Sequence, residues 1–240
     1  MLVMRVEAVE THHAIAAESR TGLYRPVEFL LALVGLIVSA PLIALSALAT
    51  LVTSRGPVLF RQQRIGRYGH PFVLYKVRTM TLSQGGPQVT AGDDVRVTLV
   101  GRFLRKTKLD ELPELWNVLK GEMSLVGPRP EVECYVDLES PAWQHVLTAR
   151  PGITDPVTLR LRNEERLLAE IDGDREAFYL DTLQPYKLKA YSEYLNARNA
   201  WVDIKVLLQT SIAVVFPRTA PPPTQQEMTT YVRRTSGPSR

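Results

Sequence analysis

Residues 29–54, FLLALVGLIVSAPLIALSALATLVTS, carry no charged side chain, and the reading of that stretch decides the fold. It is long enough for one membrane crossing, which takes roughly 20 apolar residues. A helix of this length buried in a soluble core would show a polar face, and none is visible. It does not read as a secretory leader, because no strongly basic segment precedes it. Pro41 lies near its middle. A proline there removes one backbone donor and presses on the carbonyl four residues back, that of Ile37. In lipid an unpaired carbonyl is costly, and the Ser39 hydroxyl is close enough in sequence to help. Two geometries follow: a bent crossing, or a helix–break–helix that leaves by the side it entered. The flanks favour the second. Arg25 precedes the run and Arg55, Arg61, Arg64 and Arg67 follow it, and arginines beside membrane ends prefer the cytoplasmic side.

Around this run the chain divides into a charged tail at 1–24, a membrane segment at 25–54, a catalytic domain at 55–216 and a proline-rich tail at 217–240. The last tail is polar enough to be disordered. With 240 residues, a net charge of +4 and 45% hydrophobic residues, the chain can build one good core and favours anionic partners. Its single cysteine, Cys134, excludes an internal disulfide and a multi-cysteine zinc site.

Within 55–216, GPVLFRQQRIG (56–66) reads as a turn and an extended segment, and HPFVLYKVRTM (70–80) as a strand. VTLVGRFLRKTKL (97–109) reads as an amphipathic helix whose basic face holds Arg102, Arg105, Lys106 and Lys108. Residues 110–120 form a further helix, with Leu112, Leu115, Trp116 and Leu119 at helical spacing, Pro113 in its first turn and Gly121 as its cap. RPGITDP (150–156) is a loop, and helices are expected near 163–171, 174–198 and 201–216. Because 201–216 contains Asp203 and Lys205, it reads as an amphipathic or core helix rather than a second crossing. The expected class is mainly α with a small β element (α+β), membrane-associated and monotopic, with amphipathic helices at the interface.

The chemistry lies in 108–130, KLDELPELWNVLKGEMSLVGPRP. Asp110 and Glu111 stand at a helix start, where free N–H groups and the helix dipole favour ionised carboxylates. Acids at such positions also occur for helix stability alone, worth about 0.3–1 kcal/mol each. An ionised aspartate can attack phosphorus to give an acyl phosphate. Mg2+ takes one or two carboxylates plus substrate phosphates, so one acid could attack while the other holds metal. Arg129, fixed between prolines, suits bidentate contact with phosphate oxygens. Arg78, Arg102, Arg105 and Arg162 also fall near turns or helix ends. There is no phosphate-cradling GxxxxGK[ST] loop, no GxGxxG and no metal spacing among His12, His13, His70 and His145. The basic patches lack the interleaved aromatics of single-strand nucleic-acid binders.

The apolar run broken at Pro41, GPVLFRQQRIG, FVLYKVRTM, the 101–130 block, RPGIT (150–154) and Asp203 in WVDIK resemble, in order, the bacterial sugar transferases. These are monotopic polyprenyl-phosphate phosphoglycosyl transferases, and the resemblance is to their minimal form, without the additional membrane helices of larger relatives. It implies attack of Asp110 on the β-phosphate of a UDP-sugar with release of UMP, then transfer of the phosphosugar to polyprenyl (undecaprenyl) phosphate. It implies Mg2+, or Mn2+, held by Glu111 with Asp110, and phosphate contacts from Arg129, Arg105, Arg78 and Arg162. It places the enzyme on the cytoplasmic face of the bacterial inner membrane, among membrane lipids, with no nucleic-acid partner. A homodimer and downstream glycosyltransferases are further implied partners. The sequence departs from the family's pattern at Ala40 before Pro41, at Asp155-Pro156 after RPGIT and at Tyr191. Two other readings use the same residues: a Mg2+-dependent phosphohydrolase at the membrane, and a non-catalytic scaffold whose arginines bind anionic lipid.

Overall fold

The computed structural model describes residues 22–82, 90–216 and 223–233. The expected tail at 1–24 therefore lies almost wholly outside the described residues.

Helix α1 (Arg25–Thr53) occupies the apolar stretch. Its buried positions are Glu28, Ala32, Ser39, Ser46 and Thr50, separated by four or seven residues, which makes one narrow stripe of small and polar side chains. The other faces expose Leu30, Leu31, Val34, Ile37, Val38, Leu42, Leu45, Leu48, Leu51 and Val52. This pattern is inside-out for water. In lipid the leucines need no cover, and small residues give close contact with protein. By length and composition the helix could cross a membrane, with a mean hydropathy of 2.5 over its most apolar window.

The helical run passes through Pro41 without interruption, so the expected break is not a gap in the helix. Apolar surroundings penalise every lost backbone bond, which favours keeping the helix and absorbing the proline by a local adjustment. Nor does Ser39 reach Ile37: its hydroxyl donates to Leu36 O at 3.4 Å.

Both ends of α1 are fastened to the rest of the protein. Arg25 donates to Val118 O (2.6 Å) and Met123 O (3.0 Å), and buried Glu28 accepts from Leu125 N (3.2 Å). At the far end Thr50 Oγ1 donates to Ser46 O (2.9 Å) and to Arg78 O (3.4 Å).

Strands β1 (Leu59–Ile65) and β2 (Pro71–Val77) form an antiparallel hairpin, pairing Leu59 with Val77 and Ile65 with Pro71. Helix α2 (Leu99–Thr107) is capped by Thr98, whose side chain accepts from Gly101 N. Lys108 ends it with a φ of 60°. The acids follow in a 3-10 turn, Leu109–Glu111, and helix α3 starts only at Glu114 and runs to Lys120, capped by Gly121 at φ 82°. Asn117, fully buried, pins α3 to the hairpin by donating to Val73 O (2.7 Å) and accepting from Tyr75 N (3.2 Å).

Strands β3 (Ser124–Val126) and β4 (Gly152–Thr154) pair in parallel, so RPGIT is partly strand rather than all loop. Helices α4 (Pro141–Val146), α5 (Pro156–Arg160), α6 (Glu164–Ala169) and α7 (Arg175–Phe178) are short. The helix expected over 174–198 becomes α7, a π turn at Tyr179–Leu183 and α8 (Gln184–Ala197). Pro185 has no N–H for the carbonyl four residues back, which accounts for the wider turn there. Helix α9 (Ala200–Val215) follows, exposing Trp201, Ile204, Leu208 and Ile212.

The disorder expected across 217–240 is not what residues 225–233 show. They form helix α10 (Gln225–Arg233), with Met228 fully buried in a core beside Tyr186 and Leu183. Three apolar side chains, Met228, Tyr231 and Val232, pack there, and at helical spacing they turn a polar stretch into a docked one. A second core, around Phe72, Leu74, Val118, Met123 and Val126, lies beneath the hairpin and α3. The small β content and helical bulk agree with an α+β class.

Candidate active site

The turn at Leu109–Glu111 is held between two fixed elements, α2 before it and α3 pinned by Asn117 after it. Glu111 Oε1 is met by three cations: Arg129 Nη2 at 2.6 Å, Lys76 Nζ at 3.2 Å and Lys108 Nζ at 3.5 Å. Lys76 also stands 3.1 Å from Glu114 Oε1, but only its contact with Glu111 has hydrogen-bond geometry. Asp110, Glu111 and Glu114 are all buried.

Arg129 owes its aim to the GPRP backbone. Gly127 N donates to Thr154 O and Gly152 N to Pro128 O, each at 2.9 Å. Arg64 Nη1 donates to Pro130 O at 3.1 Å and to Glu131 Oε1 at 3.2 Å, and the Tyr179 hydroxyl donates to Glu131 Oε2. The loop is clamped on both sides before its arginine is used.

Four buried atoms of the cluster have no hydrogen-bond partner among the described residues: Asp110 Oδ1, both carboxylate oxygens of Glu114, and Arg129 Nη1. Orphaned buried polar atoms cost roughly 1–3 kcal/mol each, and their gathering at one point marks a place shaped for a polar ligand.

The acids titrate apart. Burial, reinforced by the neighbouring Glu111 charge, raises the Asp110 carboxyl above its ordinary range. Burial also presses Glu111 upward, but Arg129, Lys108 and Lys76 outweigh it and hold that carboxyl well below. Burial raises Glu114 in spite of Lys76. Glu111 in turn holds Arg129 well above its ordinary value. A helix start would leave Asp110 a ready anion; burial in the short 3-10 turn makes it a more basic carboxylate instead. Carboxylates pushed apart by environment are a common sign of divided catalytic roles.

The remaining arginines fare differently. Arg105 lies near enough to stabilise the Asp110 anion, although it donates to Thr79 Oγ1 (2.8 Å) and pairs with Glu165 (2.7 Å). Arg162 is half-buried and makes no ion pair among the described residues. Arg78 is not brought to the acids: it donates to Pro57 O (2.6 Å), Ser54 Oγ (2.7 Å), Ser54 O (2.8 Å) and Met80 O (3.0 Å). It fastens the exit of α1 and has little left for a phosphate.

Sequence reasoning missed Lys76, Glu114 and Glu131. Lys76 follows Leu74 by two residues, so a strand places it on the same buried face. Glu114 lies four residues after Asp110, one helical turn on. Two of the three departures, Asp155 and Tyr191, are buried. Asp155 caps α5, accepting from Val157 N (2.7 Å) and Thr158 N (2.9 Å), with Pro156 at the first helical position. Burial pushes its carboxyl up to about 6. Tyr191 is buried within the electrostatic reach of Asp155, Glu164, Glu131 and Arg129, and burial raises its hydroxyl well above the ordinary value.

Among the described residues no group of three or more His, Cys, Asp or Glu side chains could hold an ion. One or two carboxylates completed by substrate phosphates would still suffice for Mg2+, and the orphaned Asp110 Oδ1 fits that need.

A buried carboxylate with an unpartnered oxygen, a clamped arginine with an unpartnered N–H and a long apolar helix meet in one folded body. The chain matches the model of the bacterial sugar transferase family over residues 19–217 and belongs to that family. It is similar to the UDP-glucose:undecaprenyl-phosphate glucose-1-phosphate transferase of Caulobacter vibrioides, 42% identical over 71% of this chain and 61% of the relative. It is also similar to the UDP-N-acetylgalactosamine-undecaprenyl-phosphate N-acetylgalactosaminephosphotransferase of Aeromonas hydrophila, 41% identical over 54% of this chain and 32% of the relative. A third relative is the undecaprenyl-phosphate galactose phosphotransferase of Salmonella typhimurium, 32% identical over 84% of this chain and 42% of the relative. The matched region spans less than two thirds of the length of each.

Proposed function

We propose that this chain moves a sugar 1-phosphate from a UDP-sugar to a polyprenyl phosphate through a covalent phosphosugar on Asp110. In the first step an Asp110 oxygen bonds to the β-phosphorus, the bond from that phosphorus to the bridging oxygen breaks, and UMP leaves. In the second, a phosphate oxygen of the acceptor bonds to the same phosphorus and Asp110 departs as a carboxylate. One phosphoanhydride is lost and one regained, so alignment and charge neutralisation are the main tasks. The product is a polyprenyl diphosphate-sugar, the first lipid-linked unit of a glycan such as an exopolysaccharide, O-antigen, capsule or glycoprotein.

The observation that carries this reading is the orphaned Asp110 Oδ1, adjacent in the chain to Glu111, whose Oε1 holds Arg129 at 2.6 Å while Arg129 Nη1 also lacks a partner. Its raised pKa makes Asp110 the better base of the pair, and Glu111 stays anionic among three cations. Arg129 would hold donor phosphate oxygens, with Arg105 and Arg162 near the same ligand. Mg2+, or Mn2+, fits Asp110 and Glu111 as carboxylate ligands shared with substrate phosphates, and would neutralise diphosphate charge. The relatives' names carry glucose, galactose and N-acetylgalactosamine, and these three sugars head the donor panel that tests the reading.

Helix α1 would dip into the cytoplasmic leaflet of the inner membrane and return. The support is that Arg25 and Thr50 both bond the same folded body, and the return would take a bend at Pro41 within the continuous helix. The exposed apolar stripe of α9 and the exposed Leu99 and Phe103 of α2 suit the same surface.

The purified protein with Mg2+, polyprenyl phosphate and a panel of UDP-sugars should release UMP with at least one donor. It should also exchange labelled UMP into that donor without lipid. Absence of both reactions with every donor would sink the reading; phosphate release without an acceptor would favour a hydrolase. In a Cys134→Ser background, cysteines placed at 24 and 60 should react with an impermeant reagent from the same side of the membrane. Reaction from opposite sides would establish a full crossing.

A further inference from the structure

Where α1 leaves the membrane surface the chain turns sharply at Gly56, whose φ is 118°. A Cβ there would stand 2.5 Å from Leu82 Cδ1 and 3.8 Å from Arg78 Cζ. The turn therefore folds down onto Leu82 and the Arg78 guanidinium, which Ser54, Pro57 and Met80 hold in place. Beside it opens a cavity of about 670 Å3, lined by Pro57, Val58, Leu59, Phe60 and Leu82 with Arg61 and Arg78. That size lies within the range of small-molecule sites, about 300–1,000 Å3.

Three features say what this groove would take. Its lining is mostly apolar and exposed: Leu59 is 38%, Phe60 42% and Leu82 67% accessible. It continues the lipid-type face of α1, whose last turns expose Leu48, Leu51 and Val52 immediately before Arg55. The hairpin also links it to the acid cluster. Phe60 pairs with Lys76 in the hairpin, and directly opposite residues of an antiparallel pair share a face about 5 Å apart. Lys76 is the lysine that touches Glu111 and Glu114. Exposed Arg61 and Arg55 add positive charge at the mouth. An apolar groove that continues a membrane-type face and has a lysine of the acid cluster on the neighbouring strand fits a ligand with a long hydrocarbon and a phosphate head.

We propose that this groove holds the isoprenoid chain of the acceptor lipid beyond the phosphate-proximal units that a short prenyl phosphate also carries; the proposal rests on the transferase reading above. The chain lies against Leu59, Phe60 and Leu82, and the phosphate reaches the acids past Lys76. Arg78 serves the site as a builder of the groove rather than as a phosphate ligand.

The test separates the two half-reactions. Leu59→Gln and Leu82→Gln are compared with Val73→Gln, an exposed apolar position on β2 that does not line the groove. Leu82 lies outside any strand, so its variant guards against loss of the fold. Each protein is assayed for UMP exchange into UDP-sugar, then for transfer to a long-chain polyprenyl phosphate and to a short-chain prenyl phosphate. The groove variants should keep the exchange rate and the short-chain KM, and raise the long-chain KM about tenfold, the effect of one lost apolar anchor. The Val73 variant should change neither. An unchanged long-chain KM, or an equal rise for both acceptors, would overturn the groove assignment and leave the cavity to membrane acyl chains. If the unaltered protein shows no exchange at all, the transferase reading itself fails.

Discussion

The buried carboxylate–arginine assemblies around Asp203 and around Asp110 differ in what is left over. Asp203 accepts from Tyr194 at 2.6 Å, from Arg198 at 3.1 and 3.2 Å and from Leu23 N at 3.1 Å. Arg198 also donates to Val126 O at 2.8 Å. The hub ties together α8, α9, β3 and the approach to α1, and both of its carboxylate oxygens are answered. Around Asp110, Glu114 and Arg129, four buried atoms make no hydrogen bond among the described residues, and a cation stands near only one of them, Lys76 at 3.1 Å from Glu114 Oε1. A satisfied cluster is architecture. An unsatisfied one is destabilising, and it persists where a ligand completes it.

The contrast is tested most severely by Asp110→Asn. The proposed first step needs a carboxylate, so UMP exchange should fall by at least about 10^3-fold, while far-UV circular dichroism stays unchanged. Retained exchange would remove Asp110 as the nucleophile.

Asp203→Ala should show the opposite profile. It strands Arg198 in the interior, which costs about 3–5 kcal/mol and lowers Tm by roughly 10 °C in a chain of this size. The molecules that remain folded should still exchange UMP. A variant that folds normally and loses exchange would move Asp203 into the site.

A smaller effect is expected from Arg129→Lys. The charge beside Glu111 survives but the fork does not, so exchange should fall about 10^2-fold with most of the change in KM for the UDP-sugar. An unchanged KM would mean that Arg129 serves only to hold Glu111.

The two assemblies were unequally legible in the sequence. Asp110, Glu111 and Arg129 could be singled out because their positions are local: an acid pair before a helix and an arginine between prolines. What makes them a site is not local. Lys76 arrives from a strand, and its importance follows from the Phe60–Lys76 register and the Asn117 pin, neither of which has a signature of its own. Arg78 misled for the same reason. An arginine at a strand end looks free in sequence, and only the fold shows backbone carbonyls around it. The helix at 225–233 was hidden by its polar composition, because docking rests on three apolar side chains. The apolar run was the most readable element, since its length and lack of charge survive any tertiary context. The uninterrupted helix through Pro41 was the part that local rules misjudged.

The subtlest difference between the clusters is thermodynamic, and its sign is fixed. Burial raises the Asp110 carboxyl above its ordinary 3.8, so the folded protein keeps a proton that the unfolded chain has already released. Stability therefore falls as pH rises from the ordinary carboxylate range through the raised value, and stays lower above it. Asparagine has no proton to lose. The Tm of Asp110→Asn should exceed that of the unaltered protein at neutral and alkaline pH, and the gap should close on acidification. Glu111 runs the other way. Its carboxyl is held well below its ordinary 4.5 against the pull of burial, so it contributes stability at neutral pH that is lost as pH falls through its depressed value. Glu111→Gln should lower Tm at neutral pH. Thermal melts of the two variants in detergent across that range decide the matter. If Asp110→Asn were the less stable protein at neutral pH, Asp110 would be a satisfied structural acid like Asp203, and the contrast between the two clusters would fail.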